Sequence, residues 1–237
     1  TKNYYQIQAA FHMELAKNII KNIELKITTF IEAQKIPEHR SKELLSSIQQ
    51  LVSVHLMNML NVYPKMAYQL ASRFEKELYE FEIIGDKDLI IPETFKPFIK
   101  SLIHIFRNSV DHGIESPEAR IQNNKDEMGT ISCNFEINNN ILQIIIADDG
   151  AGIDIDKIKQ KLLNKNIDTN KLCENDIYKY IFEDHFSTKE VITDISGRGV
   201  GMSAVKNELD KLNGTYEIQS KINVGTTFIF QLPLNKT

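Results

Sequence analysis

Residues 141–154 read ILQIIIADDGAGID: an apolar run closes on two carboxylates, Asp148 and Asp149, then on a glycine pair, Gly150 and Gly152, and then on Asp154. A strand of apolar residues that ends in acid and glycine, with a helix following, places a carboxylate at a strand end beside backbone free to take positive φ. Immediately upstream, Thr130 to Ile137 is a second β-rich run, and Asn138-Asn139-Asn140 between the two has hairpin chemistry. Downstream the sequence predicts a helix from about Asp154 to Leu163, a polar loop, a short helix near Ile177 to Phe182, and a Ser/Thr/Gly-rich segment from Phe186 to Gly201. A helix from Met202 to Leu212, a turn at Asn213-Gly214, and strands over Thr215–Ser220 and Thr226–Leu232 complete the chain.

Working back from the hairpin, Pro92 and Glu93 open a helix that carries Phe98, Leu102, Ile105 and Phe106 and stops at Asp111-His112-Gly113. Before it, Tyr63-Pro64 marks a joint, Met66 to Leu78 reads as a helix, and Tyr79–Ile84 with Leu89–Ile91 read as short strands around Gly85-Asp86. This order predicts an α/β sandwich with helices on one sheet face.

The N-terminal quarter has a different period. From Tyr4 to about Gln34, Ile7, Phe11, Leu15, Ile19, Ile23, Ile27 and Phe30 recur at three- and four-residue steps. Lys35-Ile36-Pro37 interrupts them, and Leu45, Ile48, Val52, Leu56 and Met59 resume the stripe. An antiparallel helical hairpin of this length cannot enclose its own apolar stripes, so two copies are expected to pair into a four-helix bundle, making a homodimer. The expectation is therefore an α+β chain with a helical hairpin dimerisation domain over residues 1–62 and an α/β sandwich over 63–237.

Composition sets the function classes. With 237 residues, 42% apolar, 10 Gly and 6 Pro, the chain can bury an ordinary core. A net charge of −4 and a pI near 5.9 argue against nucleic acid as a partner, which calls for a basic surface. Cys133 and Cys173 stand apart with no CxxC or Cys/His spacing, which suggests neither a disulfide framework nor a zinc site and favours the cytoplasm. There is no apolar run of membrane-spanning length, and a start at Thr1 rather than Met is expected of a piece of a longer protein.

Four motifs carry chemistry. In His104-x-x-x-Asn108-x-x-Asp111-His112-Gly113, four-residue spacing puts His104 and Asn108 on one helix face, and an Asn oxygen is a hard neutral ligand suited to Mg²⁺. In Asp148-Asp149-Gly150-Ala151-Gly152, a strand-end carboxylate can accept from an exocyclic amine such as that of adenine. Phe186-Ser187-Thr188-Lys189 and Ser196-Gly197-Arg198-Gly199-Val200-Gly201-Met202 run into a helix start, where unpaired N–H groups and the helix dipole attract phosphate. Taken singly each has a plainer reading: a solvated helix face, an acidic surface turn, a flexible loop with a surface lysine. Neither GxGxxG nor GxxxxGK[ST] occurs, which disfavours dinucleotide and P-loop readings.

Together and in this order, the four resemble the N, G1, F and G2 boxes of the GHKL ATPase superfamily, with Gly225-Thr226 similar to its final Gly-Thr pair. HIFRNSVDHGIESPEAR at 104–120, DDGAGID at 148–154 and FSTKEVITDISGRGVGMSAVKNELDKLNG at 186–214 resemble the chemotaxis histidine kinase family, as does LNVYPKMAYQLASRF at 60–74. The resemblance implies a Bergerat-type sandwich that binds ATP and Mg²⁺ under a lid over roughly 183–196. It implies that Asn108 holds Mg²⁺, that Asp148 takes the adenine amine beside Gly150 and Gly152, and that Gly197, Gly199 and Gly201 cradle phosphates. Asp111, His112, Ser187, Thr188, Lys189, Arg198, Val200, Met202 and Thr226 fall within the same nucleotide contacts, with His104, Asn108 and Lys189 in the catalytic group.

His104 stands where the superfamily's hydrolytic members place a water-activating glutamate. A carboxylate base there favours water as nucleophile, whereas His resembles the kinases, in which a histidine on another domain attacks. The implied reaction is transfer of the γ-phosphoryl group to a histidine of a separate phosphotransfer domain and on to a response regulator, with a receptor or coupling protein as a further partner. His12-Met13-Glu14-Leu15 resembles the acceptor box of ordinary sensor kinases in part, its acid displaced by one position and the proline missing, so His12 stands as an internal alternative; His39 lies near the turn, and His55, between Val54 and Leu56 beside the apolar stripe, ranks below His12 as a packed interface histidine. An ATP-driven switch or ATPase without kinase activity is the alternative function.

Overall fold

The computed structural model describes residues 53–169, 172–183 and 201–234, together with Ile23, Leu25, Lys26 and Thr29. The expected hairpin and its four-helix bundle, with His12 and His39, fall outside the described residues apart from those four.

In chain order the elements are strand β1 (Ser53–His55), helices α1 (Leu56–Leu60) and α2 (Tyr63–Arg73), and strands β2 (Glu82–Ile84) and β3 (Ile90–Pro92). A 3₁₀ turn (Glu93–Phe95) leads to α3 (Lys96–Ser101) and α4 (Ile103–Asn108), which passes into a π-helical turn (Ser109–Gly113) before α5 (Pro117–Gln122). The hairpin strands β4 (Ile131–Asn138) and β5 (Ile141–Asp148) follow, then α6 (Ile155–Asn164), α7 (Glu174–Lys179), a 3₁₀ turn (Tyr180–Phe182), α8 (Met202–Asp210), β6 (Thr215–Lys221) and β7 (Gly225–Pro233).

Two compact units divide the chain, Thr1–Val54 with Ile90–Glu93, and His55–Leu89 with Thr94–Thr237. In the first, Ile23, Leu25, Lys26 and Thr29 are helical and exposed, with the Thr29 hydroxyl donating to the Leu25 carbonyl at 2.9 Å. β1 pairs with β3 in a two-stranded sheet.

The second unit is built on a five-stranded sheet in the order β2-β4-β5-β7-β6, parallel between β2 and β4 and antiparallel elsewhere. Its registers follow from side-chain alternation. Ile131, Cys133 and Phe135 of β4, Leu142, Ile144 and Ile146 of β5, and Phe228, Phe230 and Leu232 of β7 point to one face and are buried. The turn between β4 and β5 uses Asn139 and Asn140 at φ 47° and 64°, the left-handed pair that a two-residue hairpin demands. Helices cover the buried face: Phe98 of α3 meets Phe230 edge-on at 5.4 Å, and Phe182 meets Phe228 at 6.1 Å. Behind them α2 locks onto α4 through the Tyr63 ring, 4.6 Å from Phe106, and onto α3 through the Tyr63 hydroxyl, which donates to the Ile99 carbonyl at 2.5 Å.

Several sequence expectations need correction. The stripe through Leu56 and Met59 is not one helix, because Ser53–His55 is extended and pairs with β3, while α1 starts afresh at Leu56. Leu89–Ile91 and Tyr79–Ile84 do not pair with each other; β2 joins β4 instead, and β3 joins β1. The helix expected over 66–78 runs over Tyr63–Arg73, since Pro64 fits a first turn and Glu75 at φ 55° ends it. The helix expected from Glu93 to Gly113 is broken after Ser101, whose hydroxyl donates back to the Phe98 carbonyl at 2.7 Å, and it ends in the π turn. Helix α5, capped by Ser116 accepting from the Ala119 N–H at 3.3 Å, was not expected at all.

Candidate functional site

Asp148 ends β5, and everything around it is arranged by close backbone approaches. It pairs in register with Thr226 of β7, itself buried. Gly225, at φ 136°, brings its backbone against the Asp148 carbonyl so closely that a Cβ there would overlap it. Gly152, at φ 74°, packs the same way on the Lys221 carbonyl, and Gly150 on the carbonyl of Gly113. The glycine spacing of the DDGAG motif is thus the spacing at which a loop is gripped between the π turn on one side and the β6–β7 end on the other.

The Asp148 side chain is 9% exposed. Burial pushes its carboxyl up to about 6, against the pull of the Ser109 hydroxyl, the Gly150 N–H and the Thr226 N–H, while the neighbouring Asp149 charge adds to the rise. Ser109 Oγ donates to Oδ2 at 2.8 Å and the Gly150 N–H to Oδ1 at 3.1 Å. A buried carboxylate held by fixed donors from Ser109, Gly150 and Thr226 is an acceptor oriented for a further incoming donor. That chemistry fits an exocyclic amine. A Cβ on Gly113 would stand 3.1 Å from Asp148 Oδ1, so that glycine too leaves room at the carboxylate.

His104 and Asn108 are both half-buried on α4. Desolvation first, and then the Arg107 charge, hold the His104 imidazole below its ordinary range, so it is neutral at physiological pH. Asn108 is adjacent in sequence to Ser109, which ties this helix end to Asp148. In the π turn, His112 Nδ1 lies 3.4 Å from Asp111 Oδ1. Lys76, from the loop after α2, fastens the turn by donating to the carbonyls of Val110 at 2.7 Å and Asp111 at 2.8 Å.

Gly201 caps α8 and Met202 begins it; among the described residues a Cβ on Gly201 would meet nothing within 4 Å. Ser203, buried in the first turn, has a hydroxyl without a partner among the described residues. An open helix start with an orphaned buried hydroxyl fits an anion such as phosphate. Ser187, Thr188, Lys189, Gly197, Arg198, Gly199 and Val200 lie outside the described residues. Among the described residues no group of three or more His, Cys, Asp or Glu side chains is placed to hold a metal. Asn108 as a single neutral ligand is therefore consistent only with an ion that takes most of its shell from phosphates and water.

Sequence reading missed Ser109, Lys76 and a charge cluster in which Glu115, Lys125 and Asp149 gather around the buried Arg120 beside the loop. Only Ser109 carried a signal, as a small polar residue inside an apolar helix beside Asn108.

The family model described as histidine kinase-, DNA gyrase B- and HSP90-like ATPase matches residues 99–236. The chemotaxis protein CheA of Bacillus subtilis is 38% identical over 198 residues, covering 82% of this chain and 29% of its own length. CheA of Halobacterium salinarum is 33% identical over 231 residues, covering 90% of this chain and 34% of its own. The chain thus spans about a third of the length of these relatives. Among solved structures, the catalytic domain of histidine kinase ThkA aligns with TM-score 0.50 at 17% identity, over 77% of this chain and 94% of that one, which is a likeness of fold. The chain belongs to the histidine kinase-, DNA gyrase B- and HSP90-like ATPase family, and its similarity within that family is to the chemotaxis histidine kinases.

Proposed function

We propose that this chain is the dimerisation and ATP-binding core of a chemotaxis-type histidine kinase, which transfers the γ-phosphoryl group of ATP to a histidine on a separate phosphotransfer domain. The observation that carries this reading is the buried Asp148 carboxylate, gripped at a strand end by Ser109, Gly150 and the glycine contacts of Gly113 and Gly225. In this reading Asp148 accepts from the adenine amine, and Gly150 and Gly152 let the base lie against the backbone. The start of α8 at Gly201, Met202 and Ser203 receives the phosphates, continued by Gly197, Arg198, Gly199 and Val200 and by Ser187, Thr188 and Lys189. Asn108 would hold Mg²⁺, which would supply positive charge against the phosphates. Thr226 backs Asp148, and Asp111 and His112 border the phosphate side.

His104 decides between the family's two outcomes. His104, one turn from Asn108, stands where the hydrolytic members carry a water-activating glutamate, and in this reading the exchange leaves the γ-phosphate to a nucleophile from another domain. A histidine imidazole of the phosphotransfer domain then attacks in line, its nitrogen bonding phosphorus as the bond to the β,γ-bridging oxygen breaks. The apolar stripe that precedes Ser53 serves as the dimer hairpin, and the catalytic part follows it. A response regulator takes the phosphoryl group onward, and a receptor or coupling protein sets the rate, with the whole assembly at the cytoplasmic side of signalling.

The test is phosphorylation of the full-length protein with labelled ATP and Mg²⁺. An acid-labile, base-stable phosphoprotein is expected, lost in Asn108→Ala. Sustained phosphate release without phosphohistidine would instead assign an ATPase or ATP-driven switch, and equal labelling of Asn108→Ala would sink the site as drawn.

A further inference from the structure

The charge cluster behind the glycine loop has a geometry that bears on the nucleotide site directly. Arg120 is 1% exposed. Its guanidinium forks onto the Asp149 carboxylate, Nη2 to Oδ2 at 2.8 Å and Nη1 to Oδ1 at 3.2 Å, and Nη1 also reaches the Asp149 carbonyl at 3.3 Å. The remaining donors meet Glu115 Oε2 at 3.2 Å and the carbonyls of Asp126 at 2.7 Å and Met128 at 3.2 Å. Lys125 Nζ donates to Glu115 Oε1 at 2.8 Å, to the Asp149 carbonyl at 2.8 Å and to the Gly150 carbonyl at 2.7 Å. Two cations and two carboxylates balance, and Arg120, the buried member, keeps its charge among paired carboxylates while the Asp149 side chain stays 41% exposed.

What the cations hold is two consecutive peptide planes. In a trans peptide the carbonyl and the following N–H point in opposite directions, so fixing one fixes the other. Arg120 and Lys125 draw the Asp149 carbonyl to one side, and the Gly150 N–H of the same peptide is thereby aimed at Asp148 Oδ1. Lys125 draws the Gly150 carbonyl, and the N–H of Ala151 in that peptide points at the Gly113 carbonyl, 2.8 Å away. Asp149 N–H, on the other side, is held by the Thr130 carbonyl at 3.2 Å, while the Thr130 N–H meets Asp149 Oδ1 at 2.8 Å.

Resting on the nucleotide-site reading above, we infer that Arg120 and Lys125 are positioning residues for it: they set the Asp149 and Gly150 peptide planes and so present the Asp148 carboxylate to the base in one orientation. Both donate to the loop backbone and to carboxylates other than Asp148. Their contribution is made equally to bound substrate and to the transition state, so losing it weakens binding and leaves the chemical step intact.

The experiment compares Lys125→Met, Lys125→Arg and Arg120→Lys in the full-length protein, reading the Kd for a fluorescent Mg-ATP analogue, KM and kcat for phosphorylation, and Tm. Lys125→Met is expected to raise Kd and KM about tenfold, the equivalent of one donor pair lost, with kcat at saturation kept within about twofold. Lys125→Arg, which keeps a cation and several donors, should restore most of the affinity, while Arg120→Lys, which cannot fork, should bind at least as weakly as Lys125→Met. Folded variants with a lowered Tm and wild-type Kd and KM would show a structural brace alone and overturn the inference. A wild-type protein that binds no nucleotide would sink the site assignment itself, an outcome visible before any variant is made.

Discussion

At the scale of single residues, the chemistry turns on Asp148. Burial holds its carboxyl up to about 6 from an ordinary value of 3.8, so its ionised form is unfavourable in the folded, unliganded protein. For a carboxyl raised on folding, the associated stability is fully present below 3.8 and is lost as pH rises through about 6. Nucleotide binding needs the opposite state, a carboxylate acceptor. Lowering the pH through about 6 is therefore expected to weaken ATP-analogue binding while the unliganded fold becomes more resistant to urea. Asp148→Asn removes the titration, so the gap between its stability curve and the wild-type one should change as pH passes through about 6; parallel curves for the two proteins would refute the assignment. This residue was legible in the sequence because a strand-end acid followed by spaced glycines has few other uses. Ser109 and Arg120 were not, because one lies 39 and the other 29 positions from the partner that gives it meaning, and neither spacing is a local pattern.

At the scale of elements, alternation in β4, β5 and β7 and the Asn pair of the hairpin made the sheet readable, since period and turn chemistry are both local. The breaks in the helix before the site were not. An apolar stripe from Phe98 to Phe106 is equally compatible with one straight helix, and what divides it is tertiary: the Ser101 back-bond, the docking of Tyr63 on the Ile99 carbonyl, and the π turn. A π turn widens the helix and frees carbonyls that need donors, and Lys76 supplies them at Val110 and Asp111. Lys76→Met leaves both carbonyls short of a charged donor and should cost about 1–3 kcal/mol. Amide exchange at Ile114, whose N–H bonds the Ser109 carbonyl at 2.7 Å across the turn, should quicken more than exchange in the β4–β5 pair. Uniform quickening through the sheet would mean that Lys76 supports the unit as a whole and not this turn.

At the scale of the whole molecule, the site joins parts that are distant along the chain: the π turn at 109–113, the strand end at 148–152 and the β6–β7 end at 221–226 all meet at Asp148 or its loop. A ligand that bridges such parts binds the folded state and not the unfolded chain, so it must raise the stability of the unit that contains them. At a free Mg-ATP concentration a hundred times Kd the gain is about 2.7 kcal/mol. For a unit of this size that corresponds to a rise in Tm of roughly 5–10 °C. The chain has two compact units and can show two transitions, and the shift belongs to the one that holds Asp148. Asp148→Asn should abolish it, whereas Asn108→Ala should reduce it to what ATP gives in the presence of a chelator, since both remove only the metal's share of the binding. If instead Asn108→Ala kept the full metal-dependent shift, the Mg²⁺ ligand would lie elsewhere in the chain while the adenine site stood unchanged.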